Sequence, residues 1–150
     1  MNRVVLLDSG PIGSLSSPRR NPTVLAANRW LAELVTAGVR VIVPEITDYE
    51  VRRELIRRNA TENLDLLDIL STVTEYLPIT TDAMRRAAAL WAEARQTGRP
   101  TASDADLDAD MILVGQAQSL QLADAIIATT NVRHIGRFFP ADLWSSVFAS

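Results

Sequence analysis

Four oxygen-bearing side chains stand where an apolar run stops or a helical pattern begins. They are Asp8 after Val-Val-Leu-Leu, Glu50 in Pro-Glu-Ile-Thr-Asp-Tyr-Glu, Asp110 in Leu-Asp-Ala-Asp-Met-Ile-Leu, and Asn131 after Ile-Ile-Ala-Thr-Thr. A buried strand that ends abruptly on a carboxylate delivers it to one rim of a sheet. Carboxylate and amide oxygens gathered there are hard donors suited to Mg²⁺ or Mn²⁺. Each position also has an ordinary structural role. Asp8 can cap the turn that follows it, Glu50 sits where a helix dipole favours a carboxylate, and Asn131 is a common turn residue. Independent caps would not be expected to fall on one sheet edge, and that favours the catalytic reading.

The run Asp104, Asp106, Asp108 and Asp110 needs geometry to sort it. Residues two apart on a helix point nearly opposite ways, so Asp108 and Asp110 cannot serve one ion from a regular helix. With Asp108 as the N-cap, Asp110 falls in the first turn and is the expected ligand, Asp108 being the alternative. Asp104 and Asp106 read as loop residues. Arg52, Arg53 and Arg133 are candidates for phosphate contact, against the usual fate of exposed arginines, which is solvation. Glu54 is placed to pair with Arg57 or Arg58, Asp124 belongs at the opposite rim, and His134 reads as a packed or surface group.

Composition removes several chemistries. There is no cysteine, so thiolate zinc sites, disulfides and cysteine nucleophiles are excluded, and a single histidine excludes multi-histidine metal sites. No Gly-x-Ser-x-Gly elbow supports a serine triad. All fifteen basic residues are arginine. The missing lysine rules out a P-loop and Schiff-base chemistry, and argues against receiver-type and haloacid-dehalogenase-type acidic pockets. A net charge of −3 does not advertise a nucleic-acid binder, yet arginines paired along the chain can rim an acidic pocket and hold a polyanion locally. The apolar runs are too short to cross a bilayer and no signal pattern opens the chain, so no membrane association and a cytoplasmic location are expected.

The positioning elements follow from periodicity. Residues 3–7 and 39–43 read as buried strands, 125–128 as a third, and 73–79 as a weaker one. Helical spacing marks 24–37, closed by Gly38, a helix capped by Thr47 or Asp48 that carries Glu50, a short helix over 63–72, one from an Asp82 cap to Arg95, and one over 109–120. Residues 9–22 and 101–106 read as loops, and 141–148 is ambiguous between helix and edge strand. Strands alternating with helices predict an α/β fold, a parallel sheet covered on both faces, in one domain over 1–150.

In these motifs and their order the chain resembles PIN-domain proteins, the nuclease superfamily that includes VapC-type toxins. The resemblance rests on the strand-Asp-Ser start at Asp8, Pro-x-Ile-x-Asp-Tyr-Glu-x-Arg-Arg-Glu-Leu around Glu50, Leu-Asp-Ala-Asp-x-Ile-Leu around Asp110, and Ala-Thr-Thr-Asn-x-Arg-His-Ile around Asn131. It implies a three-layer α/β/α sandwich with a short, mostly parallel sheet, and Mg²⁺- or Mn²⁺-dependent cleavage of RNA. Asp8, Glu50 and Asp110 match the family's three acidic positions, and Asn131 stands at the fourth, often Asp. The resemblance further implies an antitoxin partner and a homodimer, for which the face of Leu64, Leu67 and Leu70 can supply an interface or be ordinary core. The alternative is a catalytically degenerate PIN domain that binds RNA or protein, which Asn131 alone supports.

Overall fold

A computed structural model describes residues 3–97 and 104–149, with the backbone alone for 104–106. Its centre is β1 (Val4–Leu7), whose four residues are all buried because both faces of the sheet are covered. Around it run β2 (Arg40–Pro44), β3 (Glu75–Leu77), β4 (Ala125–Thr129) and β5 (Ala141–Leu143), in the order β3-β2-β1-β4-β5, every neighbouring pair parallel. The three-layer α/β/α expectation holds.

Side-chain alternation along β1 feeds two cores. Val4 and Leu6 face the core built with α5 (Thr81–Gln96), α6 (Asp104–Ser119) and α7 (Val132–Ile135). Val5 and Leu7 face the core built with α1 (Ser9–Leu15), α2 (Pro22–Thr36), α3 (Glu45–Arg57) and α4 (Thr61–Val73). Leu67 and Leu70 are buried in this second core and Leu64 packs against it, so that face is interior rather than an interface. Trp30 of α2 meets Trp144 edge-on and donates from Nε1 to Val147 O at 2.8 Å, which ties the tail to the same core.

Several boundaries differ from expectation. The 9–22 loop contains α1: Asp8 caps it, and Pro11 sits in the first turn, where a missing N–H costs nothing. Thr80 rather than Asp82 caps α5. Neither Thr47 nor Asp48 caps α3, which starts at Glu45 behind Pro44 and therefore carries Glu50 in its second turn. The helix expected from 109 begins at Asp104; residues 101–103 lie outside the described residues. The tail resolves into both readings, β5 followed by a 3₁₀ turn at Trp144–Ser146. Gly38, at φ +80°, takes the left-handed conformation that ends α2.

α5 and α6 approach closely through small residues. A Cβ at Gly115 would stand 2.4 Å from the Ala83 carbonyl oxygen and 3.1 Å from the Ala87 nitrogen, so glycine is required there.

Candidate functional site

The sheet order places a switch point between β1 and β4: the chain runs outward from β1 through β2 and β3, then resumes on the other side with β4 and β5. In open parallel sheets, ligands bind beyond the carboxyl ends of the strands at such a point. Asp8 leaves β1 there, and Thr129 to Asn131 leave β4 beside it.

Asp8 is 7% exposed and doubly engaged. Oδ1 accepts from the Ser9 N–H at 2.7 Å, capping α1, and Oδ2 accepts from the Thr129 hydroxyl at 2.7 Å. The same hydroxyl accepts from the Asn131 N–H at 2.8 Å. One threonine thus fixes both the Asp8 carboxylate and the turn that carries Asn131. Gly10 lets the two segments close, since a Cβ there would lie 2.8 Å from the Thr130 side chain. No ion pair to Asp8 forms among the described residues, so its charge is met only by a main-chain dipole and a hydroxyl.

Glu50 lies in the second turn of α3, whose start is tied to the sheet next to Asp8. The Thr47 hydroxyl donates to Pro44 O at 2.9 Å and lies 3.0 Å from Leu7 O, which pins the start of α3 to the residue before Asp8. Gln116, fully buried on α6, accepts from Ile46 N–H at 3.2 Å and donates to Leu77 O at 2.9 Å. It sets the helix that carries Asp110 against the helix that carries Glu50. Half-buried Glu50 lines a hollow of about 280 Å³ with Gly13 of α1.

Asp110 is half-buried inside α6, and Asp108, also inside α6 rather than its N-cap, is exposed. Residues two apart on a helix point nearly opposite ways, and here Asp110 is the more buried of the two, with neither acting as a cap. His134 Nε2 of α7 lies 3.1 Å from Asp110 Oδ2, an ion-pair distance when the ring is protonated. The contact is not a hydrogen bond, and that buried nitrogen has no hydrogen-bond partner among the described residues. Asn131 is exposed and precedes α7 without capping it through its side chain. Side chains of Asp104 and Asp106 lie outside the described residues. Asp124 sits at the opposite rim, paired with Arg3 at 3.4 Å.

The arginine expectations divide. Arg52 is held by Asp48 at 3.1 Å and Asp68 at 2.8 Å. Its hydrogen bond to Asp48 comes first among the causes that raise its pKa, so its charge is spent within the fold. The Asp48 carboxylate also receives the Tyr76 hydroxyl, whose pKa burial, aided by that carboxylate, pushes up to about 12. Arg53 lies over the Tyr49 ring, Arg133 is exposed, and Glu54 pairs with Arg57 as expected. Thr129 was not among the expected site residues; the Thr-Thr-Asn strand end was its only sequence signal.

The oxygen donors fit a hard divalent cation in kind. Asp8 is a buried carboxylate without a cationic partner among the described residues, and each of its oxygens keeps lone pairs beyond the single hydrogen bond it accepts. As the side chains stand, no three His, Asp or Glu of the described residues close into one ion-sized group.

Comparison with known proteins gives the lineage of this arrangement. The PIN domain family matches over residues 5–137. The fold is similar to the structure of VapBC2 from Rickettsia felis bound to a DNA fragment from their promoter, with TM-score 0.74, 14% identity, and coverage of 94% of this chain and 98% of that one. It is similar to VapBC-1 from nontypeable Haemophilus influenzae, with TM-score 0.68, 18% identity, and coverage of 95% and 99%. DNA-bound VapBC from Salmonella typhimurium gives TM-score 0.67 and 19% identity, with coverage of 95% and 98%. No curated protein matches the chain significantly. With the match running from within β1 to just past α7 and all four motif positions inside it, the chain belongs to the PIN-domain family.

Proposed function

We propose that this protein is a metal-dependent endoribonuclease that hydrolyses RNA phosphodiester bonds, acting as the toxin of a toxin–antitoxin pair. The observation that carries the reading is the Asp8–Thr129–Asn131 linkage at the switch point of a PIN-family sheet. Asp8, Asp110 and Glu50 would hold Mg²⁺ or Mn²⁺, and closing that set requires at least one carboxylate to turn inward. When bound, such an ion supplies Lewis acidity, acidifying water and neutralising charge that gathers on the phosphate. The chain's own contribution is positional. Thr129 keeps Asp8 in one rotamer, His134 of α7 lies beside Asp110, and the Asn131 amide stands ready to orient water or phosphate. The antitoxin reading draws support from the VapBC neighbours, the homodimer and the cytoplasmic location are part of the same proposal, and no helix among the described residues is long and apolar enough to cross a membrane.

The deciding experiment is cleavage of a mixed, end-labelled RNA pool with Mn²⁺, beside EDTA and an Asp8→Asn/Asp110→Asn control. Metal-dependent cutting lost in the control supports the nuclease; identical behaviour of the two proteins leaves the degenerate, binding-only reading. Because Asp8 is a buried charge lacking a cationic partner among the described residues, divalent ions should also stabilise the fold. At a concentration about 100-fold above Kd the gain is about 2.7 kcal/mol. Thermal melting with and without Mn²⁺ measures it, and an unmoved transition at millimolar ion would count against the site.

A further inference from the structure

Helix α3 divides the surface beside the acidic rim into two sides of different chemistry. On one side Arg52 is consumed by Asp48 and Asp68, and Arg53 covers Tyr49. On the other, the hollow that Glu50 lines shares Gly13, Arg58 and Asn63 with a second hollow of about 680 Å³. The second reaches from Ser9, the neighbour of Asp8, to Arg19. The two form one groove that runs from Glu50 past Arg58, skirts Ser9 and reaches Arg19.

Arg58 and Arg19 are exposed, and neither forms an ion pair among the described residues. Glu54 at the groove edge is already bonded to Arg57. The floor is bare, since a Cβ at Gly13 would meet no atom within 4 Å.

We propose that single-stranded RNA runs from the rim along this groove, with its phosphates held by Arg58 and Arg19 rather than by Arg52 and Arg53. The identity of the polyanion rests on the nuclease reading above; the placement of the track rests on the groove and its two unspent charges. A negative substrate must meet compensating charge close to the carboxylates that would otherwise repel it, and this groove offers it nearest Glu50.

The test is binding, kept apart from cleavage. Anisotropy of a labelled single-stranded RNA oligonucleotide is followed in EDTA across a salt series. Arg58→Ala and Arg19→Ala should each weaken binding about fivefold, and each should flatten the salt slope by roughly 0.7. Gly13→Leu should weaken it about tenfold or more by filling the floor, with a melting temperature no lower than that of the unaltered protein. Arg53→Ala should stay within about twofold, since the groove lies on the other side of α3. Groove variants that bind as tightly as the unaltered protein, or a loss carried by Arg53 instead, would overturn the proposal, and the former result would leave the groove to a protein partner. Mn²⁺-dependent cleavage that persists beside normal binding by the groove variants sinks the track alone. Arg58-dependent binding by a protein that never cleaves sinks the nuclease alone.

Discussion

Asp8→Asn is expected to reduce metal-dependent RNA cleavage on the order of a thousandfold or more while leaving the metal-free fold as stable as before. The two effects separate because Asp8 does two jobs with one side chain. Its Oδ1 caps α1 through the Ser9 N–H, and asparagine caps as well as aspartate. The amide keeps that acceptor, and the Thr129 hydroxyl can turn to meet the new N–H₂. What disappears is the negative charge, which a cation requires and the apo fold must bury without a cationic partner among the described residues. Asp8→Ala would confound the test, since it also removes the cap, at about 0.5–2 kcal/mol. Cleavage within about tenfold of the unaltered protein, at an unchanged melting temperature, would show that this carboxylate is not central.

The largest effect on stability is expected at Gly115. Adding a single methyl in Gly115→Ala forces a carbon to 2.4 Å from the Ala83 carbonyl oxygen, where the neighbour is backbone and cannot rotate aside. α5 and α6 must separate, opening the core that contains Met111, Leu113 and Val114. The overpacking cost outweighs the better helix propensity of alanine, for a net loss of about 2–4 kcal/mol. For a chain of this size that is a fall of roughly 5–15 °C in Tm. Gly13→Ala has the opposite sign: its Cβ enters open space on a helix, so a gain of about 0.5–1 kcal/mol is expected. Thermal or urea denaturation of the pair reads both signs together, and a Gly115→Ala protein melting at or above the parent would refute the packing argument.

What the sequence made legible was local. Val-Val-Leu-Leu-Asp reads as a buried strand stopping on a carboxylate because a doubly covered parallel strand has no polar alternation to confuse it. α1 was hidden by Gly10, Pro11 and Gly13, which read as a loop unless the Asp8 cap and the Ile12/Leu15 spacing outweigh them. α7, at four residues, is shorter than any period can reveal. α6 opens on alternating aspartates, a polar stretch that mimics a loop, so its start was placed too late. Arg52 was a reasonable phosphate ligand until Asp68, sixteen residues away and on another helix, claimed it. Such tertiary pairings leave no trace in spacing, and for the same reason the role of Thr129 could not be read in advance.

The hydrogen bond from Thr129 to Asp8 spans 121 residues, and it has a consequence for biosynthesis. β1 sits mid-sheet and is made before β2 and β3, but its β4 neighbour is made only after both. A nascent chain that has emerged only as far as Leu120 possesses β1, β2 and β3 and nothing on the other flank of Asp8. Its carboxylate then has neither the hydroxyl that orients it nor the turn that carries Asn131. A fragment of residues 1–120 is accordingly expected to cut no RNA under conditions where the full chain does; cutting by the fragment would mean that β4 is dispensable to the rim. The order of strands thus acts as a timer, leaving the rim beside Asp8 unfinished until β4 has been made.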